Sequence, residues 1–389
     1  MPSRGTKAAT PKSASLLFNN LAANGRSLAY VAYTSALVIP EGPVLAGSSA
    51  ASGTVSIEDP DGAQMHQVRW VSMPSEELLV VASQKSLQLY TADASRLVHV
   101  VTAKEADGDS LAAYRGISSC ETGHAAYVCA GVSTGAICLV PIFGPLQFGD
   151  SLLSPASQHP IVDVAAGQAP HNDPSRALVC SSDGAGDVHV HALEADGTWG
   201  HCTTFGVSTV DDTPSLCTSL RMRGTRLYCA YSTGHVRIFD LVSCSISCQI
   251  TAHARWINAL EVHPNGFLFA TASEDTTIGL WSLSETGATP KVPLPLTNRR
   301  PLAAARLLLS LNAPLPDMAA LTGCTRPPSL PLSLSPSHPC FCSFQVASVA
   351  SIPVTDSLLG GVAFCGGFDK THVASSAYDQ AAIQAWRLD

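Results

Sequence analysis

The chain has 389 residues, of which only 13% are charged, and its formal net charge is −8. This acidic balance argues against nucleic acid as a partner, because phosphate binding needs clustered Lys and Arg. No apolar run reaches the roughly 18 residues of a membrane span, so we expect no stable membrane insertion.

The N-terminal stretch is rich in small residues and has no hydrophobic signal-peptide core. We expect residues 1–12 to form a disordered tail, and we set a transit peptide aside because the stretch is short and has a single Arg. Without a secretory signal, the 13 cysteines predict reduced thiols in a cytoplasmic protein. Cys129 and Cys180, in predicted strands, should pack as small hydrophobic residues.

One strand–turn–strand unit recurs along the chain: an apolar run, a small polar turn, and a second run that ends in a large residue. In chain order the copies are VLAGSSAASGTVSI near Ile57, LLVVASQKSLQLY at Tyr90, AYVCAGVSTGAICLV near Leu139, ALVCSSDGAGDVHVHAL near Val190, LYCAYSTGHVRIFD at Phe239, LFATASEDTTIGLW at Trp281 and THVASSAYDQAAIQAWRL at Trp386. Most spacings lie near the roughly 40–50 residues of a four-stranded blade. Such blades bury their faces by stacking in a closed ring. The sequence therefore predicts an all-β fold, a single seven-bladed β-propeller.

The last copy lacks room for a fourth strand, because Trp386 lies three residues before the end of the sequence. We predict that Ala14–Phe18 supplies this strand and closes the ring. The propeller would then comprise residues 13–283 and 347–389.

Residues 284–346 interrupt the pattern with an irregular insertion rich in Pro, Leu and Ser. Proline at that density breaks strands and helices, so we expect a disordered segment or a loop. It is either a loop that presents Pro-rich peptides or a retained intron. We favour the intron, because removing the segment restores a normal blade spacing and its end resembles a translated splice acceptor.

The stretch ITAHARWINALEVHPNGFLFATASEDTTIGLWSL contains His253, Ser273, Asp275 and Trp281 at characteristic places. It resembles the WD-repeat family, and the resemblance extends to LLFNNL, QHPIVDVA, GHVRIFD and SSAYDQAAIQAWRL. It implies a buried chain of hydrogen bonds from Trp to Ser, Ser to His and His to Asp. It also implies a propeller without catalytic residues or a cofactor. Most other copies lack the Trp, and His159 with Asp183 is the next best partial copy.

Two constellations could suggest other chemistry. Ser273, His253 and Asp275 have the residue types of a hydrolase triad, but Trp281 accounts for the Ser and no G-x-S-x-G elbow occurs. His189 and His191 point to one side of a predicted strand and could begin a zinc site with Cys180 or His201. We interpret them as an ordinary pair on a sheet face and expect no metal.

The predicted function is a non-catalytic scaffold for protein partners, which the sequence does not identify. Arg255 and Trp256 lie in a loop before a predicted inner strand, and both residue types are favoured interface anchors. We therefore name them as candidate partner-binding residues, with local packing as the alternative. The alternatives are an enzyme that uses the propeller channel, for which the sequence offers no cluster of carboxylates or His at the channel mouth, and a propeller that binds membrane phosphoinositides. The oligomeric state stays open.

Overall fold

The computed structural model describes residues 5–50, 52–74, 76–102, 112–170, 173–206, 215–285, 344–354, 357–367, 369–378 and 380–388. These residues form seven antiparallel sheets, six of four strands and one of five. Each sheet is one blade, and its strands run in order from the innermost to the outermost.

Blades 1 to 3 contain the second to fourteenth strands of the chain and the short helix α1. Blade 1 consists of β2 (Ala22–Ala23), β3 (Ser27–Ala32), β4 (Ser35–Pro40) and β5 (Val55–Glu58), with α1 (Glu41–Leu45) after β4. Blade 2 consists of β6 (Met65–Ser72), β7 (Glu77–Ser83), β8 (Ser86–Thr91) and β9 (Leu97–Thr102). Blade 3 consists of β10 (Tyr114–Glu121), β11 (Ala126–Val132), β12 (Ala136–Gly144), β13 (Gln147–Phe148) and β14 (Leu152–Pro155). Both β13 and β14 pair with β12.

Blades 4 to 7 contain the remaining strands, with the first strand of the chain, β1, in blade 7. Blade 4 consists of β15 (Ile161–Gln168), β16 (Arg176–Asp183), β17 (Val188–Glu194) and β18 (Trp199–Phe205); blade 5 of β19 (Cys217–Arg223), β20 (Arg226–Tyr231), β21 (His235–Asp240) and β22 (Ser245–Thr251); blade 6 of β23 (Ile257–Val262), β24 (Leu268–Ser273), β25 (Thr277–Glu285) and β26 (Phe344–Pro353); and blade 7 of β27 (Leu359–Cys365), β28 (His372–Ala377), β29 (Ala382–Arg387) and β1 (Thr6–Ala9).

The core lies between blades, as the repeat pattern predicts. A second strand such as β24 is buried almost throughout, whereas an outermost strand such as β22 alternates between buried and exposed residues. Innermost strands of neighbouring blades contact one another round the ring, and β27 contacts β2. The predicted seven-bladed propeller is therefore confirmed.

The ring is closed by an N-terminal strand, but the residues differ from the prediction. Thr6–Ala9 pairs with β29, with Thr6 opposite Ala385 and Ala9 opposite Ala382. Ala14–Phe18, the expected closing strand, instead leads across the ring towards β2. The prediction of a disordered tail is thus wrong for residues 5–12, because the edge of β29 needs a partner and the alternating Thr6–Ala9 stretch supplies it.

The insertion is shorter than predicted at both ends. Residues 284–285 belong to β25, residues 344–346 belong to β26, and Glu285 lies opposite Phe344 in the pairing of these two strands. The rest of the predicted insertion, residues 286–343, lies outside the described residues. Among the residues that the structure describes, no helix has the length and hydrophobicity that a membrane span requires.

Candidate functional site

A chain of hydrogen bonds connects β24, β25 and the loop before β23 in blade 6. The indole N–H of Trp281 donates to Thr271 Oγ1 at 3.0 Å, and His253 Nε2 lies 2.7 Å from the same hydroxyl. His253 Nδ1 lies 2.9 Å from Asp275 Oδ2. Three of the four predicted residues, His253, Asp275 and Trp281, are therefore brought together, but Thr271 takes the place predicted for Ser273.

Gly279 explains why the Trp281 ring reaches Thr271. Thr271 lies directly opposite Gly279 in the pairing of β24 with β25. A Cβ atom at Gly279 would lie 2.6 Å from Trp281 Nε1 and 2.8 Å from Thr271 Oγ1. The missing side chain thus leaves the space in which indole and hydroxyl meet.

Ser273 instead forms hydrogen bonds at the turn between β24 and β25. Its hydroxyl accepts a hydrogen bond from the Asp275 amide and donates a longer one, of 3.4 Å, to the Arg255 carbonyl. Burial alone would raise the pKa of Asp275, but hydrogen bonds from His253 and Thr277 hold it well below its usual range. Ser273, His253 and Asp275 do not form a triad, because the hydroxyl that lies beside His253 belongs to Thr271.

Blade 4 holds a second hydrogen-bonded turn, around Asp183. Its carboxylate accepts hydrogen bonds from Ser157 Oγ and from three backbone amides, those of residues 185–187, and lies 2.9 Å from His189 Nε2. Burial opposes ionisation, but these partners lower the pKa of Asp183 to about 2. Ser157 and His189 therefore occupy the place that we expected for His159, which is exposed.

The other histidines of blade 4 form a small cluster on one sheet face. His191 stacks on Trp199 with ring centroids 4.8 Å apart and meets His201 edge-on at 5.3 Å. Burial is the main cause, and the neighbouring positive charges of His201 and His189 add to it, so that the pKa of His191 is lowered to about 4. Asp183, Asp187 and His189 offer ligand atoms within 4.8 Å of one another, but the hydrogen-bonded turn already accounts for this grouping.

We call the side formed by the loops before the innermost strands, and by the turns between second and third strands, the top face. The segment after β1 crosses this face towards the channel. Its Lys12 contacts Ser35 and Glu58, and the Ser15 amide donates to the Val31 carbonyl. The segment thus covers the top of blade 1 before it enters the ring.

Asn19 and Asn20 fix this segment over the channel. The Asn19 side chain donates to Asp163 Oδ2 at 2.9 Å and accepts from Ser219 Oγ at 2.7 Å, and its amide donates to the Asn258 carbonyl. The Asn20 amide donates to the Gly360 carbonyl. The top of the channel is therefore bridged from blade 4 to blade 7 by the chain itself.

The channel wall contains a line of alternating charges that the sequence did not suggest. Arg221 Nη1 lies 3.3 Å from Asp163, Arg221 Nε lies 2.9 Å from Glu261, and Arg69 Nη2 lies 3.4 Å from Glu261. Asp163 and Glu261 thus lie on either side of Arg221, in a part of the ring for which the sequence had suggested no cluster of carboxylates or His. The signal was present: Arg69, Arg221 and Glu261 have the same register after the bulge at the start of each innermost strand.

Large apolar side chains are exposed on only one part of the top face. Among the described residues, those exposed on this face lie in blades 6, 7 and 1 or in the segment before β2, with none in the loops of blades 2 to 5. They are Leu16, Tyr33, Trp256, Leu358 and Tyr378, which we call the aromatic patch.

Two hydrogen bonds and one ring contact link members of the aromatic patch to their neighbours. The Tyr33 amide donates to Ser15 Oγ, beside Leu16, and the Tyr378 amide donates to the Leu358 carbonyl. Phe18 stacks against Trp256 with centroids 6.4 Å apart. Trp256 is 43% exposed, and Arg255 beside it is exposed as well. Both predicted residues thus lie where a partner could reach them.

A family model described as WDR54 matches residues 1–294. WD repeat-containing protein 54 from Mus musculus is 29% identical over 224 residues, which are 56% of this chain and 63% of that protein. The Homo sapiens protein of the same name is 28% identical over the same shares. The match thus spans less than two thirds of these curated relatives. The recognition of a WD-repeat chain similar to WD repeat-containing protein 54 is confirmed.

Solved structures agree on the fold. A chain of the "Crystal Structure of Mitotic Checkpoint Complex" superposes with a TM-score of 0.59 at 11% identity, over all of this chain and 94% of the other. The WD40 β-propeller domain of Doa1 gives a TM-score of 0.57 at 10% identity, with 98% of that chain covered. At such identities the likeness concerns the propeller alone.

Proposed function

Because the chain belongs to the WDR54 family, we propose that it is a non-catalytic scaffold that binds protein partners at the aromatic patch. WD-repeat propellers in general have roles in protein interactions. The proposal depends on one observation: within the described part of the chain, the large apolar side chains exposed on the top face lie in blades 6, 7 and 1 and in the segment before β2. Exposed apolar side chains grouped on one part of a face are typical of interaction sites.

The composition of the patch indicates the chemistry of the partner. Trp and Tyr provide large contact areas at a small cost in conformational entropy, and both are common binding hot spots. Arg255, exposed next to Trp256, would favour an acidic group at the edge of the interface. We therefore infer a peptide segment with an apolar anchor flanked by Asp or Glu.

The channel is a weaker candidate for an enzyme site. Its upper mouth is bridged by Asn19 and Asn20, and Asp163 and Glu261 are paired with arginines. Carboxylates held in this way are poorly placed to transfer protons to a substrate. Buried thiols such as Cys129 and Cys180 support the cytoplasmic location that we propose.

The test compares two pairs of aromatic substitutions in affinity capture from native cells with quantitative mass spectrometry. The patch variant combines Tyr33→Ser with Trp256→Ser. The control combines Phe143→Ser with Phe267→Ser, which are 63% and 52% exposed away from the top face. We expect the patch variant to recover at least about tenfold less of the partner proteins than wild type and the control do, because truncation of a binding hot spot has an effect of this size. Equal recovery by both variants would overturn the proposal.

A further inference from the structure

At the opposite end of the channel from Asn19, the structure contains a cavity of about 130 Å³. It is lined by the ends of innermost strands from blades 1, 2, 6 and 7 and by the loop after β27. Trp70 and Phe364 contribute apolar walls, and Arg69, Glu261 and Lys370 contribute the charges. Because the segment before β2 covers the top, this cavity belongs to the bottom face.

The charges of the cavity do not balance. Glu261 lies 2.9 Å from Arg221 but 3.4 Å from Arg69, so the nearer arginine takes the better share of that carboxylate. Arg221 is also 3.3 Å from Asp163. The four paired groups cancel one another, and Lys370 adds one positive charge. The buried carboxylate of Glu41, on the same side of the molecule, accepts hydrogen bonds from three backbone amides rather than from Lys370.

Lys370 is the charged residue of the cavity lining whose side chain lacks a partner among the described residues. Its Nζ atom is buried and has no hydrogen-bond partner within the described part of the chain. An ammonium group removed from water costs free energy unless an anion compensates it. Burial and the neighbouring Arg221 also lower the pKa of Arg69, so the surroundings disfavour further positive charge.

The loop that contains Lys370 is held in place by Glu41, at the start of α1. The Glu41 carboxylate accepts hydrogen bonds from the amides of Gly25, Gly366 and Gly367. Lys370 itself has a left-handed backbone with φ of 50°, a conformation that side-chain-bearing residues adopt at some cost. The backbone of the loop that leads to Lys370 is therefore held by Glu41.

We propose that this cavity binds a phosphate group between the guanidinium of Arg69 and the ammonium of Lys370, at the bottom end of the channel. A guanidinium fork and an ammonium are the two side-chain cations that bind phosphate oxygens. The cavity volume of about 130 Å³ is several times the roughly 10–15 Å³ of such space that one water needs, so there is room for a phosphate group. The phosphate is either free or part of a small monoester that enters from the bottom face.

The test measures binding of inorganic phosphate and of glycerol 3-phosphate to the full chain by isothermal titration calorimetry at constant ionic strength. We expect saturable binding that Lys370→Met weakens at least about tenfold, the value of one charge-assisted hydrogen bond. Lys85→Met, which removes an exposed lysine near Asp61, should leave the affinity unchanged. Tighter binding of the monoester identifies a phosphate ester as the ligand, and equal or tighter binding of inorganic phosphate identifies the free ion.

Two further variants keep the test decisive if Lys370→Met does not fold. Lys370→Arg should retain binding because it keeps the charge, and Glu261→Gln should strengthen binding because it removes the competing carboxylate. Absence of saturable binding to the wild-type chain would reject the phosphate site. Affinity that is unaffected by Lys370→Met would reject it as well.

Discussion

The side-chain amide of Asn19 donates a hydrogen bond of 2.9 Å to Asp163, although the two residues are 144 positions apart. Asn19 is only 3% exposed and has a φ of 54°, in the left-handed region that Asn tolerates better than most residues. A single residue before the first inner strand therefore connects blade 4 with the N-terminal segment.

Asn19→Ala should destabilise the protein by about 2–3 kcal/mol, since it leaves buried partners unsatisfied and places Ala in a left-handed conformation. Asn19→Gly loses the same hydrogen bonds but adopts the backbone freely, so it should be about 0.5–1 kcal/mol less damaging. Urea unfolding of wild type and the two variants measures the two losses in the free energy of unfolding. If both variants unfold like wild type, Asn19 does not fix the segment.

Thr271→Ala should cost about 2 kcal/mol, because it leaves the Trp281 indole and the His253 ring without their shared hydroxyl. Thr271→Ser keeps the hydroxyl and should cost clearly less. Ser273→Ala removes only hydrogen bonds of the turn and should cost about 1 kcal/mol or less. Denaturant unfolding ranks the three variants, and a larger loss from Ser273→Ala than from Thr271→Ala would restore the arrangement expected from the sequence.

Gly279→Ala should destabilise blade 6 by about 2–3 kcal/mol, because its Cβ would collide with both Trp281 and Thr271. Gly200→Ala is a matched control in a strand of blade 4, where a Cβ would meet nothing within 4 Å. Its effect should stay within about 0.5 kcal/mol. Thermal unfolding monitored by Trp fluorescence measures both, and equal midpoints for the two variants would contradict the packing described for Gly279.

The stability of the protein should fall below neutral pH partly because of His191. Its pKa is about 4 in the folded protein and 6.5 ordinarily, so the unfolded chain binds more protons between these values. The resulting stability is complete above pH 6.5 and declines as the pH falls towards 4. When the pH falls from 7 to 4.5, the free energy of unfolding of His191→Phe should decrease by about 2 kcal/mol less than that of wild type. The exposed residue His124, changed to Phe, provides the control in urea titrations at each pH; parallel pH profiles for all three proteins would exclude His191 as the cause.

Replacement of residues 286–343 by a short Asn-Gly turn should leave the fold unchanged. Glu285 and Phe344 already lie opposite each other in the pairing of β25 with β26, and two-residue turns of this type connect such strands. We expect the thermal midpoint to stay within a few degrees of wild type and the molar circular dichroism signal of the β-sheets to stay the same. A shortened chain that aggregates or melts far earlier would show that the segment contributes to the propeller.

The repeat could be predicted because each blade alternates apolar runs with small polar turns in a constant phase. The closing strand could not, because Thr6–Ala9 has four residues of weak pattern and Ala14–Phe18 is more apolar. Ser273 and Thr271 both lie on β24, and only their pairing partners distinguish them: Thr271 lies opposite Gly279. Asp163 and Asn19 meet across the ring, a relation that no local spacing contains.

Blade 7 combines β1 with β27 to β29, which are synthesised more than 340 residues after β1. A nascent chain consequently keeps Thr6–Ala9 without its partner until Arg387 has left the ribosome. During that interval the newly formed edges of blades 1 and 6 have no neighbours on one side. Ribosome-bound intermediates should therefore be the form of this protein most exposed to aggregation and most dependent on chaperones.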